Sequence, residues 1–331
     1  MISEPPQQVQ AEICPVCRKK NIDSTSVPWL QKLLDAEENF GLQRCRGCGF
    51  GWLFPRPTAA QVNPLYGRQY FDRYAGESVP EATPRTTLLD RLRVHLAWRT
   101  DKGVDQADAI TELLGSGNRS VCDIGCGNGD LLVKLKAEGR RLVGVEPDEA
   151  ARERCRAAGV EVVCGSTENL PSEIQDDSQD VVVMSHVLEH CHDPISALKY
   201  AARITRPGGS VVVDVPNAES RGSISLGSTW FHADYGRHMN FFGARSLSIA
   251  AEQVGLQSPA ISYYGYLVQF TNGWISAQQE NWEKQYRLGL VPPAAVKDSK
   301  SRAWLLLLRT LLAERALRYL CVRMVCRKPC I

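Results

Sequence analysis

The sequence predicts an α/β fold: an open, mainly parallel sheet with helices on both faces, preceded by a small cysteine-held unit. Three observations carry this. From Arg119 onward, short β-branched runs alternate with helical patterns, as a parallel sheet covered by helices requires. The stretch Val121-Cys-Asp-Ile-Gly-Cys-Gly-Asn-Gly-Asp130 reads as strand, glycine-rich turn and helix start. Two Cys-x-x-Cys pairs stand near the N-terminus, at Cys14/Cys17 and Cys45/Cys48.

In chain order, the first unit is residues 11–57. A Cys-x-x-Cys turn supplies two thiolates from one knuckle, and two such turns complete a tetrahedral zinc site. Gly49 suits the turn behind the second knuckle, and the long gap between the pairs leaves room for a short helix near 29–38. The expected ligands are Cys14, Cys17, Cys45 and Cys48, and the zinc is structural. The unit ends at Pro55-Arg-Pro57. Residues 58–117 read as linker and helical lead-in, with Tyr66, Tyr70, Phe71 and Tyr74 before a helical stretch near 86–114.

The core is expected over 118–270. Strand 119–124 leads to a helix at 129–138. Strand 141–145 precedes a helix at 148–158, and strand 160–164 follows. Strand 180–184 precedes a helix at 194–205. Strand 210–215 is entered through the turn Arg206-Pro-Gly-Gly209. An aromatic, histidine-rich insertion covers 217–242, followed by a helix at 244–254 and a strand near 260–268. Residues 271–331 supply helices and a last strand near 320–326.

The glycine loop lets backbone N–H groups approach a ligand. Asp123 at its mouth disfavours a phosphate and favours a ligand with a cationic end, which points to S-adenosylmethionine (SAM). Glu146, 21 residues after Gly125, ends the next strand and can accept hydrogen bonds from both ribose hydroxyls. The expected cofactor contacts are Asp123, Gly125, Cys126, Gly127, Glu146, Pro147, Ser166, Thr167, Ser185 and His186. A dinucleotide fingerprint needs its third glycine one residue later.

These residues carry a resemblance. Asp123-Ile-Gly-Cys-Gly-Asn-Gly129, Gly144-Val-Glu146, Asp180-Val-Val-Val-Met-Ser-His-Val-Leu-Glu-His190 and Arg206-Pro-Gly-Gly209 resemble class I SAM-dependent methyltransferases, of domain type 23 or 11. The resemblance implies a Rossmann-like seven-stranded sheet whose seventh strand is antiparallel. The segment Cys45 to Tyr74 is similar to the N-terminal part of bacterial sugar, polysaccharide and natural-product methyltransferases. Leu188-Glu-His190 resembles a segment of ubiquinone-biosynthesis O-methyltransferases, where two acids and a histidine are associated with a divalent ion. His186 replaces the first acid here, so magnesium is not expected.

Methyl transfer to a hydroxyl needs alignment, exclusion of water and a base. Two groups offer histidine: His186, Glu189, His190 and His192 after the fourth strand, and His232 and His238 in the insertion. The candidate bases are His238 and His190. The implied acceptor is a small molecule, a sugar or secondary-metabolite hydroxyl. The alternatives are a zinc-ribbon RNA methyltransferase, a sugar C-methyltransferase and a non-catalytic SAM-binding protein.

Net charge is +2, and residues 1–60 hold seven Lys/Arg against six Asp/Glu, so no basic patch suggests nucleic acid. The stretch 297–331 carries +7 against −5 for the remainder. Weak peripheral membrane contact by this tail is one use for that charge; packing of 303–320 on the domain is the favoured one. Twelve cysteines with no export signal suit reduced thiols in a cytoplasm, and no apolar run reaches the ~20 residues of a membrane span.

Overall fold

Valine-rich runs form the central strands, because branched side chains suit a pleated surface buried on both faces. The computed structural model describes residues 13–66, 86–101, 103–115, 119–137, 139–169, 171–234, 236–287 and 299–330. Tyr70, Phe71 and Tyr74 of the lead-in lie outside them.

The N-terminal part folds as β1 (Ile22–Ser26), α1 (Pro28–Leu33), β2 (Gly41–Cys45), β3 (Gly51–Phe54) and α2 (Ala59–Val62). The lead-in is two helices, α3 (Leu88–Thr100) and α4 (Gln106–Leu114), capped by Thr87 and Asp105. The core runs β4 (Ser120–Ile124), α5 (Asp130–Lys134), β5 (Arg141–Glu146), α6 (Glu149–Ala157), β6 (Glu161–Cys164), β7 (Gln179–Ser185), α7 (Pro194–Ile204) and β8 (Thr205–Pro216). Then come α8 (Arg221–Leu226), β9 (Asn240–Phe241), α9 (Ala244–Gln253), β10 (Gln257–Tyr264), α10 (Asn272–Arg287), α11 (Ser299–Thr310), α12 (Arg315–Arg318) and β11 (Cys321–Arg327).

Seven strands pair in the order β10-β11-β8-β7-β4-β5-β6. The five from β8 to β6 are parallel, and β11 runs antiparallel between β8 and β10. This is the class I methyltransferase sheet with its reversed seventh strand. The connections leave β4 in opposite directions, so a crevice opens at the carboxyl ends of β4 and β7. Arg323 of β11 holds the reversed strand in place: it forks onto Asp214 of β8 at 2.8 and 3.0 Å, deep in the core.

Four elements differ from expectation. The first core helix, α5, stops at Lys134, with Leu135 as its C-cap. The expected turn Arg206-Pro-Gly-Gly209 lies within β8 as a bulge. Gln179 pairs with Thr205 but Val181 with Ser210, and Gly208 has φ +73°. The sixth strand ends at Tyr264, and Leu267–Phe270 form a 3-10 turn instead. The insertion also contains a strand: β9 pairs with β3, which extends the N-terminal sheet to β1-β2-β3-β9.

That pairing welds the two parts. The Leu53 N–H donates to the Met239 carbonyl at 3.0 Å, and Phe50 packs against Phe242 with centroids 4.8 Å apart. Cys14, Cys45, Phe50 and Trp52 thus share a hydrophobic cluster with Ile124, Val213 and Leu247 of the core. Within the tail, Ala303, Leu307 and Thr310 of α11 are buried, and Arg302 stacks over the Trp282 ring at 4.6 Å. Among the described residues no helix is long and apolar enough to cross a membrane.

Candidate active site

The chain leaves β4 at Ile124 and turns sharply. Gly125 has φ +72°, and a Cβ there would lie 2.6 Å from Val187 Cγ2, so the position needs glycine on two counts. Glu146 at the end of β5 fastens the loop: its two carboxylate oxygens accept the Gly127 and Asp148 N–H groups, each at 3.0 Å. Each oxygen keeps a lone pair for a ligand.

Asp123 is buried one strand over, and its Oδ1 has no hydrogen-bond partner. Burial pushes its pKa up to about 8, helped by the nearby charges of Glu146 and Asp214. A buried acceptor without a donor is unusual in a finished core and fits a ligand donor or cation arriving from the cleft.

That cleft measures ≈ 1370 Å³ and lies along the carboxyl edge of β4, β5, β6 and β7. All ten expected cofactor contacts line it, Pro147, Ser166, Thr167 and Ser185 included, and so do His190 and His238. Its volume exceeds the ~300–1,000 Å³ of a single drug-sized ligand, leaving room for cofactor and acceptor together.

The two histidine groups converge on one end of this cleft. His190 and His238 meet edge to face with ring centroids 4.6 Å apart, and His186 and His232 stack at 6.2 Å. Their environments differ. Burial disfavours charge on His186, but Cys321 and the Glu189 carboxylate, 3.0 Å from its Nδ1, raise its pKa well above the usual value. Burial likewise opposes charge on Glu189, yet His186 outweighs it and holds the carboxyl at about 2. These two form an ion pair whose carboxylate is buried and whose imidazole is partly exposed to the cleft. Burial and the neighbouring His238 pull His190 down to about 4, and burial pulls His232 well below its usual value.

His238 is aimed. Its Nδ1 lies 2.8 Å from the His232 carbonyl, which can only accept, so the proton sits on Nδ1 and Nε2 keeps its lone pair. Asp234 Oδ2 lies 4.0 Å from that Nε2. His190 is held by the Arg237 carbonyl at 3.1 Å and the Tyr66 hydroxyl at 3.0 Å, both on Nδ1. Glu189, His190 and His238 each bring one ligand atom within 4.8 Å of the others. Two imidazoles and a carboxylate suit a nitrogen-preferring transition ion better than magnesium.

Several lining residues escape the sequence reading. Arg56, Asn63 and Gln106 face the same cleft, and Tyr264 reaches His186 Nε2 at 3.2 Å from β10. The signal available for Arg56 was the Pro-Arg-Pro motif, which reads equally well as the end of a unit.

In the N-terminal unit, the four expected thiols gather with every Sγ within 4.8 Å of the others. Cys14 and Cys48 approach to 3.7 Å, Cys17 and Cys45 to 3.4 Å. A zinc tetrathiolate with Zn–S bonds of ~2.3 Å has S···S edges of about 3.8 Å. A disulfide would need about 2.05 Å, and all four cysteines are free. The donor set fits structural zinc.

The profile of a methyltransferase domain family matches residues 98–258. An uncharacterized 37.1 kDa protein in transposon TN4556 of Streptomyces fradiae is 30% identical over 256 residues, 70% of this chain and 69% of that protein. A ubiquinone biosynthesis O-methyltransferase of Vibrio cholerae is 33% identical over 104 residues, 30% of this chain and 42% of the enzyme. A malonyl-[acyl-carrier protein] O-methyltransferase of Serratia marcescens is 31% identical over 144 residues, 41% of this chain and 54% of the enzyme. The chain thus spans about half the length of those two enzymes. A SAM-dependent methyltransferase structure from Thermotoga maritima overlaps with a TM-score of 0.44 at 23% identity, over 72% of this chain and 91% of that one. The strand order, rather than that partial overlap, carries the fold.

Proposed function

The chain belongs to the class I SAM-dependent methyltransferases, and from that premise we propose that it methylates a hydroxyl of a small polar acceptor, a sugar or secondary-metabolite intermediate. The observation that carries this is the convergence of four histidines and Glu189 on one end of the cleft whose other end holds Asp123, Glu146 and the glycine loop. The methyl of SAM is already activated, so the residues' work is alignment and proton removal. In this reading Glu146 takes the ribose, Asp123 faces the methionine ammonium, and Pro147, Ser166 and Thr167 border the adenine. Ser185 and His186 border the sulfur.

His238 is the proposed base, with its free Nε2 and with Asp234 to stabilise the imidazolium. The acidity of His190 makes it a weak acceptor of protons at neutral pH, and His186 already carries one. Four thiolates of the ribbon hold zinc, which here supplies structure. The acceptor is a small molecule because the cleft is closed on one side by the insertion; residues 1–60 are near neutral, which speaks against RNA.

Binding tests the cofactor half. S-adenosylhomocysteine (SAH) is expected to bind the wild-type chain, and Glu146→Ala to weaken it roughly 100-fold, the loss of two charge-assisted hydrogen bonds worth about 2–3 kcal/mol in total after loop relaxation. Normal binding by that variant, measured by calorimetry, removes the ribose assignment. Methyl transfer from labelled SAM to a panel of sugars and phenols tests the acceptor half.

pH gives a further check. An acid whose pKa is about 8 in the empty site is mostly protonated at pH 6–7. A ligand ammonium favours its charged form, so binding releases a proton and affinity rises with pH up to about 8. SAH affinity is therefore expected to increase several-fold between pH 6 and 8, and Asp123→Asn to flatten that slope. A wild-type profile already flat over this range contradicts the role.

A further inference from the structure

Arg56 stands between Pro55 and Pro57, immediately after β3. Proline restricts its own φ and the conformation of the residue before it, so Arg56 is held between two stiff neighbours. Thr58 then closes a capping box with Gln61, which fixes the chain on the far side. The side chain is carried into the cleft on this rigid segment. Arg56 is the one Lys or Arg among the described residues that line it.

This cation lacks an ion-pair partner among the described residues. Its one hydrogen bond, to the Met239 carbonyl, is long at 3.5 Å. Asp193 is the acid that acts on it electrostatically, but that carboxylate is committed to capping α7, accepting from the Ile195 and Ser196 N–H groups at 3.0 and 3.1 Å and from the Ser196 hydroxyl at 2.7 Å. Three further acids of the cleft are engaged elsewhere, Glu146 with the loop, Glu189 with His186 and Asp234 with Arg237, and no acid that lines it forms an ion pair with Arg56 among the described residues. Burial pulls Arg56 down to about 10, the mark of a guanidinium short of stabilisation. A planar donor fork held on a rigid segment, half-buried and without an ion-pair partner among the described residues, is suited to a bidentate oxyanion.

We infer that Arg56 recognises an anionic group, a phosphate or a carboxylate, on the acceptor. The inference rests on the cleft being the methyl-transfer site and deepens that reading: the acceptor is not a neutral sugar or phenol but one bearing an oxyanion some distance from the hydroxyl to be methylated. The cofactor's own carboxylate is the competing occupant. Arg56 lies beside Cys191, Asp193 and Met239, where the segment after His190 meets the loop at Thr167 (Cys191 Sγ to Thr167 Oγ1, 3.3 Å), whereas Asp123 and the glycine loop mark the methionine side.

The test uses the full chain saturated with SAH, titrated by calorimetry with inorganic pyrophosphate and separately with malonate. One of the two is expected to bind, and which one does identifies phosphate or carboxylate as the source. Arg56→Gln is expected to weaken that anion at least tenfold with SAH affinity held within about twofold, and Arg56→Lys to restore part of it. Absence of binding by both anions overturns the inference, as does equal binding by the wild type and Arg56→Gln. A parallel fall in SAH affinity in Arg56→Gln assigns the residue to the cofactor carboxylate and overturns it as well. Failure of the wild-type chain to bind SAH at all is a different result, which removes the methyltransferase reading of the cleft itself.

Discussion

Replacing His238 with glutamine is expected to lower kcat for methyl transfer by roughly 10²–10⁴-fold, the usual contribution of a positioned general base, with SAH affinity changed less than about twofold. The argument is one of elimination by environment. His186 is ion-paired with Glu189, which raises its pKa well above the usual value and favours its protonated form. His190 is held near 4 and binds a proton weakly. Burial holds His232 well below its usual value, and it offers its carbonyl, not its ring, to His238. His238 combines an Nδ1 proton fixed by the His232 carbonyl with the Asp234 carboxylate 4.0 Å from its opposite nitrogen. The acid limb of the wild-type pH–rate profile is therefore expected to vanish in the glutamine variant. His190→Ala is expected to cost much less, through loss of its contacts with Tyr66 and the Arg237 carbonyl. If His190→Ala removes the acid limb while His238→Gln keeps it, the two residues exchange roles. If neither does, the acceptor reaches the site already deprotonated or the nucleophile is not a hydroxyl.

What the sequence reveals about this site divides by locality. The loop at 125–129 and Glu146 are legible because one strand–turn–helix unit, read contiguously, contains both the geometry and the chemistry. The histidines are legible as residues but not as one site. His190 and His238 are 48 positions apart in the chain, and nothing in their periodicity says that the insertion folds back onto the end of β7. The contact depends on Asn240, whose side-chain amide donates to the Leu188 and Cys191 carbonyls at 2.8 and 2.7 Å and locks the two segments together. A buried asparagine in an aromatic run has no local signature.

The β3–β9 pairing is hidden for a similar reason. A two-residue strand has no alternation to detect, and its partner lies nearly 190 residues earlier. In sequence the bulge in β8 looks like a turn, because Pro-Gly-Gly ordinarily ends a strand; Thr205 on one side still pairs with Gln179, so the strand resumes beyond the interruption. In sequence Arg56 is only part of a boundary motif, and its meaning depends on which neighbours fail to pair with it.

Replacing Cys45 with serine has the other large expected effect. Serine supplies no thiolate, and a structural zinc site contributes about 10–16 kcal/mol of apparent binding free energy in small zinc-finger peptides, far more than a unit of some 45 residues can draw from its own core. Zinc content is expected to fall from about one per chain to near zero, with loss of hydrogen-exchange protection over 41–54. The consequence should not stop there. β9 hangs on β3, the Leu53 N–H holds the Met239 carbonyl, and Met239 adjoins His238. Loosening the ribbon therefore releases the segment that aims the base, while the cofactor loop stays braced by Glu146 in the other sheet. Turnover is expected to drop at least tenfold with SAH affinity nearly intact, and exchange at 238–242 to accelerate together with that at 41–54. Retention of one zinc per chain by Cys45→Ser refutes the four-thiolate site. Loss of zinc with unchanged protection at 238–242 refutes the coupling and leaves the ribbon as a separate unit. A fall in SAH binding equal to the fall in turnover points instead to general unfolding, which circular dichroism of the same sample distinguishes from local release of the insertion.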